Sequence, residues 1–119
     1  MNSESQELTQ DTQPAQDTML LTVLLKHDQS KNLEDIQSHM KKMDWWERFP
    51  VAGVEVVSWT VAMGLGQIVT LRLPPALLPK INVELERSAW GVFRTECYPT
   101  YDFVPVRAMI RERVQNGGQ

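Results

Sequence analysis

Apolar and polar residues alternate along the chain in a way that predicts four strands and two helices. Four stretches are rich in β-branched and other apolar residues and are bounded by turn or proline signals, which is typical of strands. We predict strands at residues 19–25, 54–63, 67–73 and 95–106. Between them, apolar residues recur every three or four positions, which predicts helices at about 33–46 and 77–90.

The first two predicted strands carry apolar residues at successive positions. Successive side chains of a strand point to opposite faces of the sheet, so residues 19–25 and 54–63 place apolar side chains on both faces. Two helices cover only one face, and the chain has no third layer for the other. The pattern therefore predicts a homodimer or a higher even oligomer, joined through the sheet faces that lie away from the helices.

Local signals place the ends of several elements. Asn32 is predicted to cap the first helix, and Gly64-Leu65-Gly66 to turn the chain between the second and third strands. Pro99 is predicted to break the last strand and to lie at an edge or a bulge of the sheet, because proline cannot donate to a ladder. The predicted contact layer between the helices and the sheet consists of Leu33, Ile36, Met40, Met43, Ile81 and Leu85.

The chain divides into three regions by composition. Residues 1–18 are polar and acidic, and they are predicted to form a disordered or partner-ordered leader. Residues 19–106 form the predicted domain, and residues 107–119 a terminal helix or arm with a frayed end. We therefore expect one folded domain in the 119 residues.

Charge and cysteine content exclude several classes of protein. The net charge is -3, and removing the four acids of residues 1–18 leaves 12 bases against 11 acids, or +1. This balance predicts no nucleic-acid partner. No apolar run approaches the length of a membrane span, so no membrane partner is expected. The lone Cys97 is predicted to be a buried structural thiol, and a cytoplasmic location follows as the default because the chain cannot form an internal disulfide.

The element order, the two-faced strands and the run Tyr101-Asp102-Phe103-Val104-Pro105 resemble the dimeric α+β barrel superfamily. The resemblance implies a ferredoxin-like α+β fold, with a four-stranded antiparallel sheet and both helices on one face. That superfamily includes muconolactone isomerase-like proteins, small cofactor-independent monooxygenases and polyketide cyclases. The resemblance also implies a cleft for a small apolar ligand between each sheet and its own helices.

Three residues are candidates for proton transfer in such a cleft. His39 lies at the border of the buried stripe of the first helix, where it can act as a general base. Tyr101 and Asp102 belong to the densest polar cluster of the last strand. The alternative is structural: His39 is half-exposed, and Asp102 stabilises a bulge. His27 is interpreted as a solvated turn residue, and no cofactor or metal site is predicted, because the two histidines lack a ligand spacing.

Large side chains supply the candidate walls of the ligand cleft. The residues predicted to line it are Met43, Trp46, Trp59 and Tyr98. Trp45 and Trp46 are consecutive and so about 100° apart on a helix, which means that both cannot face the core. Aromatic side chains of this kind also anchor cores and subunit interfaces, and that alternative stays open.

Two functions from different classes follow. The first is an enzyme without cofactor, an isomerase, cyclase or monooxygenase that acts on a small hydrophobic or aromatic compound. The second is a non-catalytic module for ligand binding or assembly, with its core filled by side chains. A titratable group inside the cleft, within hydrogen-bond reach of a ligand, distinguishes the two.

Overall fold

A four-stranded antiparallel sheet forms the centre of the molecule, which a computed structural model describes for residues 17–117. The strands are β1 (Met19–His27), β2 (Glu55–Ala62), β3 (Gly66–Leu73) and β4 (Phe93–Thr100). Their order across the sheet is β2-β3-β1-β4, and every neighbouring pair is antiparallel. The predicted α+β class and the four-stranded antiparallel sheet are therefore confirmed.

Helices follow β1, β3 and β4. They are α1 (Leu33–Lys42), α2 (Trp45–Arg48), α3 (Leu78–Glu84) and α4 (Val104–Gln115). A 3₁₀ turn at Pro75–Leu77 precedes α3, and a π-helical turn at Leu85–Ala89 follows it. The second predicted helix thus exists, over residues 75–89 instead of the predicted 77–90, but as three helical geometries in succession.

Reciprocal hydrogen bonds fix the start of α1. The backbone N–H of Asp35 donates to Asn32 Oδ1 at 2.8 Å, and the backbone N–H of Asn32 donates to Asp35 Oδ2 at 3.1 Å. These bonds satisfy amides that the first helical turn leaves without partners. The predicted cap at Asn32 is confirmed.

One face of the sheet packs against the helices and contains the core. Its buried residues occupy alternate positions of the two central strands: Leu21, Val23, Leu25, Val69, Leu71 and Leu73. Ile36, Met40, Ile81 and Leu85 complete the same cluster from the helices, as predicted. The other two predictions for this layer are wrong, since Leu33 is 58% exposed and Met43 is only half-buried.

The first helix ends earlier than the apolar spacing predicted. Asp44 adopts a left-handed conformation with φ of 59°, which interrupts the helix after Lys42 and redirects the chain into α2. This turn places Trp45 in the core at 1% exposure, stacked on Phe49 with ring centroids 4.4 Å apart. Its neighbour Trp46 is 60% exposed.

The face away from the helices is mixed rather than apolar, which corrects the prediction for β2. A bulge between Val56 and Ser58 places an additional residue in β2 and changes the phase of the alternation. The pairing then puts Glu55, Ser58 and Thr60 opposite Arg72, Thr70 and Ile68, so this side of β2 is polar. The apolar residues at successive positions of β2 are therefore explained by the bulge, and they do not give the strand two apolar faces.

Polar contacts cross this open face, which we define by the outward side chains of the four strands. Thr22 Oγ1 lies 3.4 Å from the hydroxyl oxygens of both Thr70 and Thr100. Lys26 Nζ donates to Glu96 Oε2 at 2.9 Å, and this bond holds the pKa of the Glu96 carboxyl below its usual value. Leu20, Leu24 and Ile68, all half-buried, supply the apolar part of the face.

The last strand ends sooner than predicted, and a helix takes its place. Asp102 Oδ1 accepts a hydrogen bond from the backbone N–H of Val104 at 2.9 Å, immediately before α4. Pro105 lies in the first turn of α4, where its missing N–H is harmless. The predicted boundary between residues 106 and 107 therefore falls inside a helix. No residue of α4 is buried.

The predicted leader and frayed end lie mostly beyond the described residues, and the prediction about membrane spans concerns the helices. Residues 1–16 of the predicted leader and the last two residues of the frayed end lie outside the described residues. Within residues 17–117, each helix is too short or too polar to cross a lipid bilayer.

Candidate functional site

A partly enclosed cavity of about 200 Å³ lies between the helix-facing side of the sheet and the first two helices. Each strand contributes one residue to its floor: His27, Val61, Gln67 and Phe93. The roof consists of residues from α1 and α2: Leu33, Ile36, Gln37, Met40, Trp45 and Trp46. The cavity is thus mainly apolar, with an imidazole and two amides in its wall, and we call it the His27 cavity.

Strand register brings the polar floor residues together. Gln67 is directly opposite both Leu25 and Val61, and His27 is directly opposite Phe93. His27 follows Leu25 by two residues, which makes it the diagonal neighbour of Gln67 on the same face. Diagonal neighbours lie about 7–8 Å apart, within reach of long side chains. A ligand in the cavity can therefore contact both side chains.

Aromatic packing fixes the position of Gln67. The indole Nε1 of Trp59 donates to Gln67 Oε1 at 2.7 Å. The Trp59 ring is itself held by Phe49, edge to face at 5.9 Å between centroids, and by Trp46 at 6.4 Å. Such aromatic pairs contribute about 0.5–1.5 kcal/mol each beyond the area that they bury. The Gln67 amide is therefore an oriented group.

The imidazole of His27 is available for a ligand. The backbone N–H of His27 donates to the carbonyl of Leu65 at 2.9 Å, which continues the ladder at the end of β1. The ring packs against Phe93, with centroids 5.6 Å apart. No protein group described in residues 17–117 forms a hydrogen bond with its ring nitrogens. A neutral imidazole offers one donor and one acceptor, so His27 can bind either kind of ligand atom or accept a proton.

Exposed apolar side chains surround the opening of the His27 cavity. Leu33, Trp46 and Val61 line the cavity and are 58%, 60% and 65% exposed. Large apolar side chains that leave this much surface in water at one place are typical of a binding mouth. The exposure of Leu33, unexpected for a helix residue on the apolar stripe, is explained by this position.

The structure separates the three predicted catalytic residues. His39 Nε2 donates to the carbonyl oxygen of Ser88 at 3.0 Å, and its ring lies beside Gly91, just before β4. Tyr101 and Asp102 follow the other end of β4, whose eight residues span about 25 Å. Tyr101 is 75% exposed, and the Asp102 side chain accepts a hydrogen bond from the backbone N–H of Val104 where α4 begins. The three side chains do not meet in one cleft.

The four predicted cleft residues have different positions. Trp46 lines the His27 cavity. Trp59 is not a lining residue, but its hydrogen bond orients Gln67, which is one. Met43 lies at the carboxyl end of α1, outside the lining. Tyr98 belongs to the open face, where its hydroxyl donates to Glu96 Oε1 at 2.9 Å and the bond raises the pKa of the phenol. Tyr98 is therefore not a residue of this cavity.

A second, more open cleft of about 360 Å³ lies between α3 and β4. It is lined by Leu21, Leu78, Pro79, Ile81, Asn82, Cys97 and Pro99. Cys97 is exposed rather than buried, which corrects the prediction, because it sits on an edge strand that α3 covers only in part. Partial burial still raises the pKa of its thiol. A protonated thiol is a weak nucleophile, and no base within residues 17–117 forms a hydrogen bond with Cys97.

A buried carboxylate joins the helices outside both clefts. Glu84 is 6% exposed and accepts a hydrogen bond from Ser88 Oγ. Arg48 Nε lies 3.3 Å from Glu84 Oε2, which ties α2 to α3. The pair satisfies a charge that would otherwise be costly to bury. Its place in the molecule is structural.

Sequence reasoning missed the two polar residues of the cavity floor. His27 continues the odd-numbered series Leu21, Val23 and Leu25, so a period of two places it on the helix-facing side. The polar residues that follow it, Asp28 to Ser30, favoured the interpretation as a solvated turn. Gln67 begins the odd-numbered series Val69, Leu71 and Leu73, so the same period places it on the helix-facing side, but its position opposite Val61 depends on the pairing of β2 with β3.

No group of three potential ligands in residues 17–117 is close enough to hold a metal ion. Comparison with protein-family models gave no match, and comparisons with curated proteins and with solved structures gave none either.

Proposed function

We propose that the protein binds a small, largely apolar ring compound in the His27 cavity. One observation carries the proposal: the cavity combines an apolar wall and an exposed apolar mouth with an imidazole whose ring nitrogens form no hydrogen bond with any group described in residues 17–117. Apolar pockets with a few convergent polar groups are the usual form of small-molecule sites.

The volume limits the ligand to about one ring. Cavities of about 150 Å³ in other proteins hold benzene, whereas sites for drug-sized molecules have about 300–1,000 Å³. A cavity of about 200 Å³ fits a single ring with one or two small substituents. Trp46 at the mouth and Phe93 on the floor offer aromatic surfaces to such a ring.

A proton-transfer enzyme is the second candidate, and the free His27 ring favours it. Histidine changes protonation near neutral pH and is the residue most often used as a general acid or base. In this proposal His27 takes the base role that the sequence assigned to His39, and it works without metal or organic cofactor, as an isomerase, cyclase or monooxygenase would. The alternative is binding without catalysis.

Blocking the mouth is expected to abolish ligand binding. We expect para-fluorotoluene, followed by fluorine NMR, to bind with a dissociation constant on the order of 1 mM or lower, given its few heavy atoms. Val61→Trp places a large ring at the mouth and should weaken binding at least tenfold. Val57→Trp is the matched control, since Val57 lies on the same strand outside the lining. Equal binding by both variants would place the ligand elsewhere.

We also propose that the fold is ferredoxin-like and that two copies associate as a dimeric α+β barrel through their open faces. The strand order β2-β3-β1-β4 supports this connectivity, with α1 and α3 packed on one face. The half-buried Leu20, Leu24 and Ile68 give the open face an apolar part that a second copy can cover. The lone Cys97 and the absence of a possible internal disulfide support a cytoplasmic location.

Helix α4 gives this association a second apolar surface. Its twelve residues include the exposed Met109, Ile110 and Val114, and none of its residues is buried. An isolated helix of this length is only marginally stable in water, so contact with a second copy would stabilise it. We therefore expect sedimentation at micromolar concentration to give a dimer.

Introducing a charge on the apolar side of α4 is expected to shift that dimer toward monomer. Ile110→Glu tests this side, and Ala108→Glu is its control, since residues 108 and 110 lie about 200° apart around a helix. A monomeric wild-type protein at that concentration would contradict the association proposal.

A further inference from the structure

We infer that the His27 cavity selects ring compounds that carry a hydrogen-bond-accepting oxygen, such as an aromatic ketone, and that the amide nitrogen of Gln67 is the group that selects them. The inference rests on the proposed binding function and adds to it the chemical class of the ligand. It follows from the hydrogen bond between Trp59 and Gln67. Gln67 lines the cavity, whereas Trp59 is not one of the lining residues.

The identity of the bonded atoms is fixed by chemistry. An indole N–H is a donor and cannot accept a hydrogen bond, so the atom of Gln67 that lies 2.7 Å from Trp59 Nε1 must be the amide oxygen. The amide therefore cannot rotate by half a turn without losing this bond and bringing two N–H groups together. Its orientation is set by Trp59.

This orientation leaves the amide nitrogen as the free end of Gln67. The nitrogen carries two N–H donors, and neither has a partner among the residues that the structure describes. Gln67 is half-buried and lines the cavity, so a ligand that displaces water from these donors must supply an acceptor. A buried donor left without a partner is costly, which penalises ligands that lack one.

The other polar groups of the wall do not oppose this preference. His27 presents a donor in either neutral tautomer, and Gln37 is exposed on α1 with an amide that is free to rotate. A ligand oxygen near Gln67 can therefore also accept from His27, its diagonal neighbour. The lining residues that the structure describes include no carboxylate, so none of them carries a negative charge that favours a cationic amine over a neutral acceptor.

Two fluorinated probes of similar shape test the selection. The carbonyl of para-fluoroacetophenone is an acceptor, and para-fluorocumene has a methyl group at the same place. From the usual strength of one hydrogen bond, we expect the ketone to bind the wild-type protein about five to ten times more tightly in a fluorine NMR titration. Gln67→Glu keeps the acceptor for Trp59 but removes the free donors, so the preference should reverse. Gln67→Met, of similar length and without donors, should give nearly equal affinities.

A wild-type measurement makes the test independent of how the variants fold. In a proton–nitrogen correlation spectrum, the ketone should shift the side-chain amide signals of Gln67, and the cumene should leave them nearly unchanged. If both probes bind the wild-type protein equally well, the selection is overturned and the binding proposal stands. If neither probe binds, both proposals fail.

Discussion

Replacing Trp45 with Ala is expected to lower the free energy of unfolding by about 3–5 kcal/mol, the range for removing a large aromatic side chain from a core. Trp45 is 1% exposed and stacks on Phe49 at 4.4 Å. The same change at Trp46, which is 60% exposed, should cost only about 1 kcal/mol, because its main aromatic contact is with Trp59. Neighbouring tryptophans therefore have very different effects on stability.

Urea unfolding of both variants at one protein concentration checks this difference, since the apparent stability of any protein that associates depends on its concentration. The midpoint should fall strongly for Trp45→Ala and slightly for Trp46→Ala. Similar midpoints for the two variants would mean that the left-handed turn at Asp44 does not separate the two side chains as described.

Leu85→Ala is expected to cost about 2–5 kcal/mol, with the exact value set by how far the surroundings relax into the cavity. Leu85 is 2% exposed in the π-helical turn and belongs to the core cluster. Leu33→Ala removes the same atoms from a side chain that is 58% exposed and should cost much less. Circular dichroism during urea unfolding compares the two directly. A larger loss for Leu33→Ala would reverse our assignment of the buried helix faces.

The sequence was most informative where hydrophobic periodicity and local capping act together. Asn32 predicted the start of α1, and its side chain accepts the expected hydrogen bond, to which Asp35 adds a reciprocal one. The predicted bounds of β1 and β3, residues 19–25 and 67–73, agree with Met19–His27 and Gly66–Leu73 to within two residues. These features depend on few residues at short separation.

The end of α1 was not predictable from periodicity. The spacing of Met40, Met43 and Trp46 continues a helical stripe, yet Asp44 takes a positive φ and α2 begins anew. Aspartate tolerates this conformation better than most residues, but the tendency is too weak to locate a break. What selects the turn is the burial of Trp45 against Phe49, a tertiary contact.

The prediction for the end of the last strand was wrong for a different reason. Pro105 is compatible with two structures, because proline ends strands and is also favoured in the first turn of a helix. The side chain of Asp102, which accepts from the backbone of Val104, resolves the choice in favour of a helix. An aspartate followed by proline within three residues was the available signal.

The candidate site was predictable in kind but not in its residues. A cavity between the helices and the sheet was expected, and Trp46 was expected in its wall. A period of two places both His27 and Gln67 on the helix-facing side of their strands, whereas the position of Val61 opposite Gln67 depends on the pairing of β2 with β3. His39 was the more attractive histidine because it lies on an amphipathic helix, but its ring is used by the carbonyl of Ser88.

The proposed binding site is tested most directly by the two histidines themselves, since the chain contains only two. Isotope labelling of histidine gives one set of ring signals for His27 and one for His39. On titration with para-fluoroacetophenone we expect the His27 ring signals to shift in proportion to binding, while those of His39 stay in place. Shifts at His39 alone, or at neither histidine while the probe binds, would contradict a ligand site in the His27 cavity.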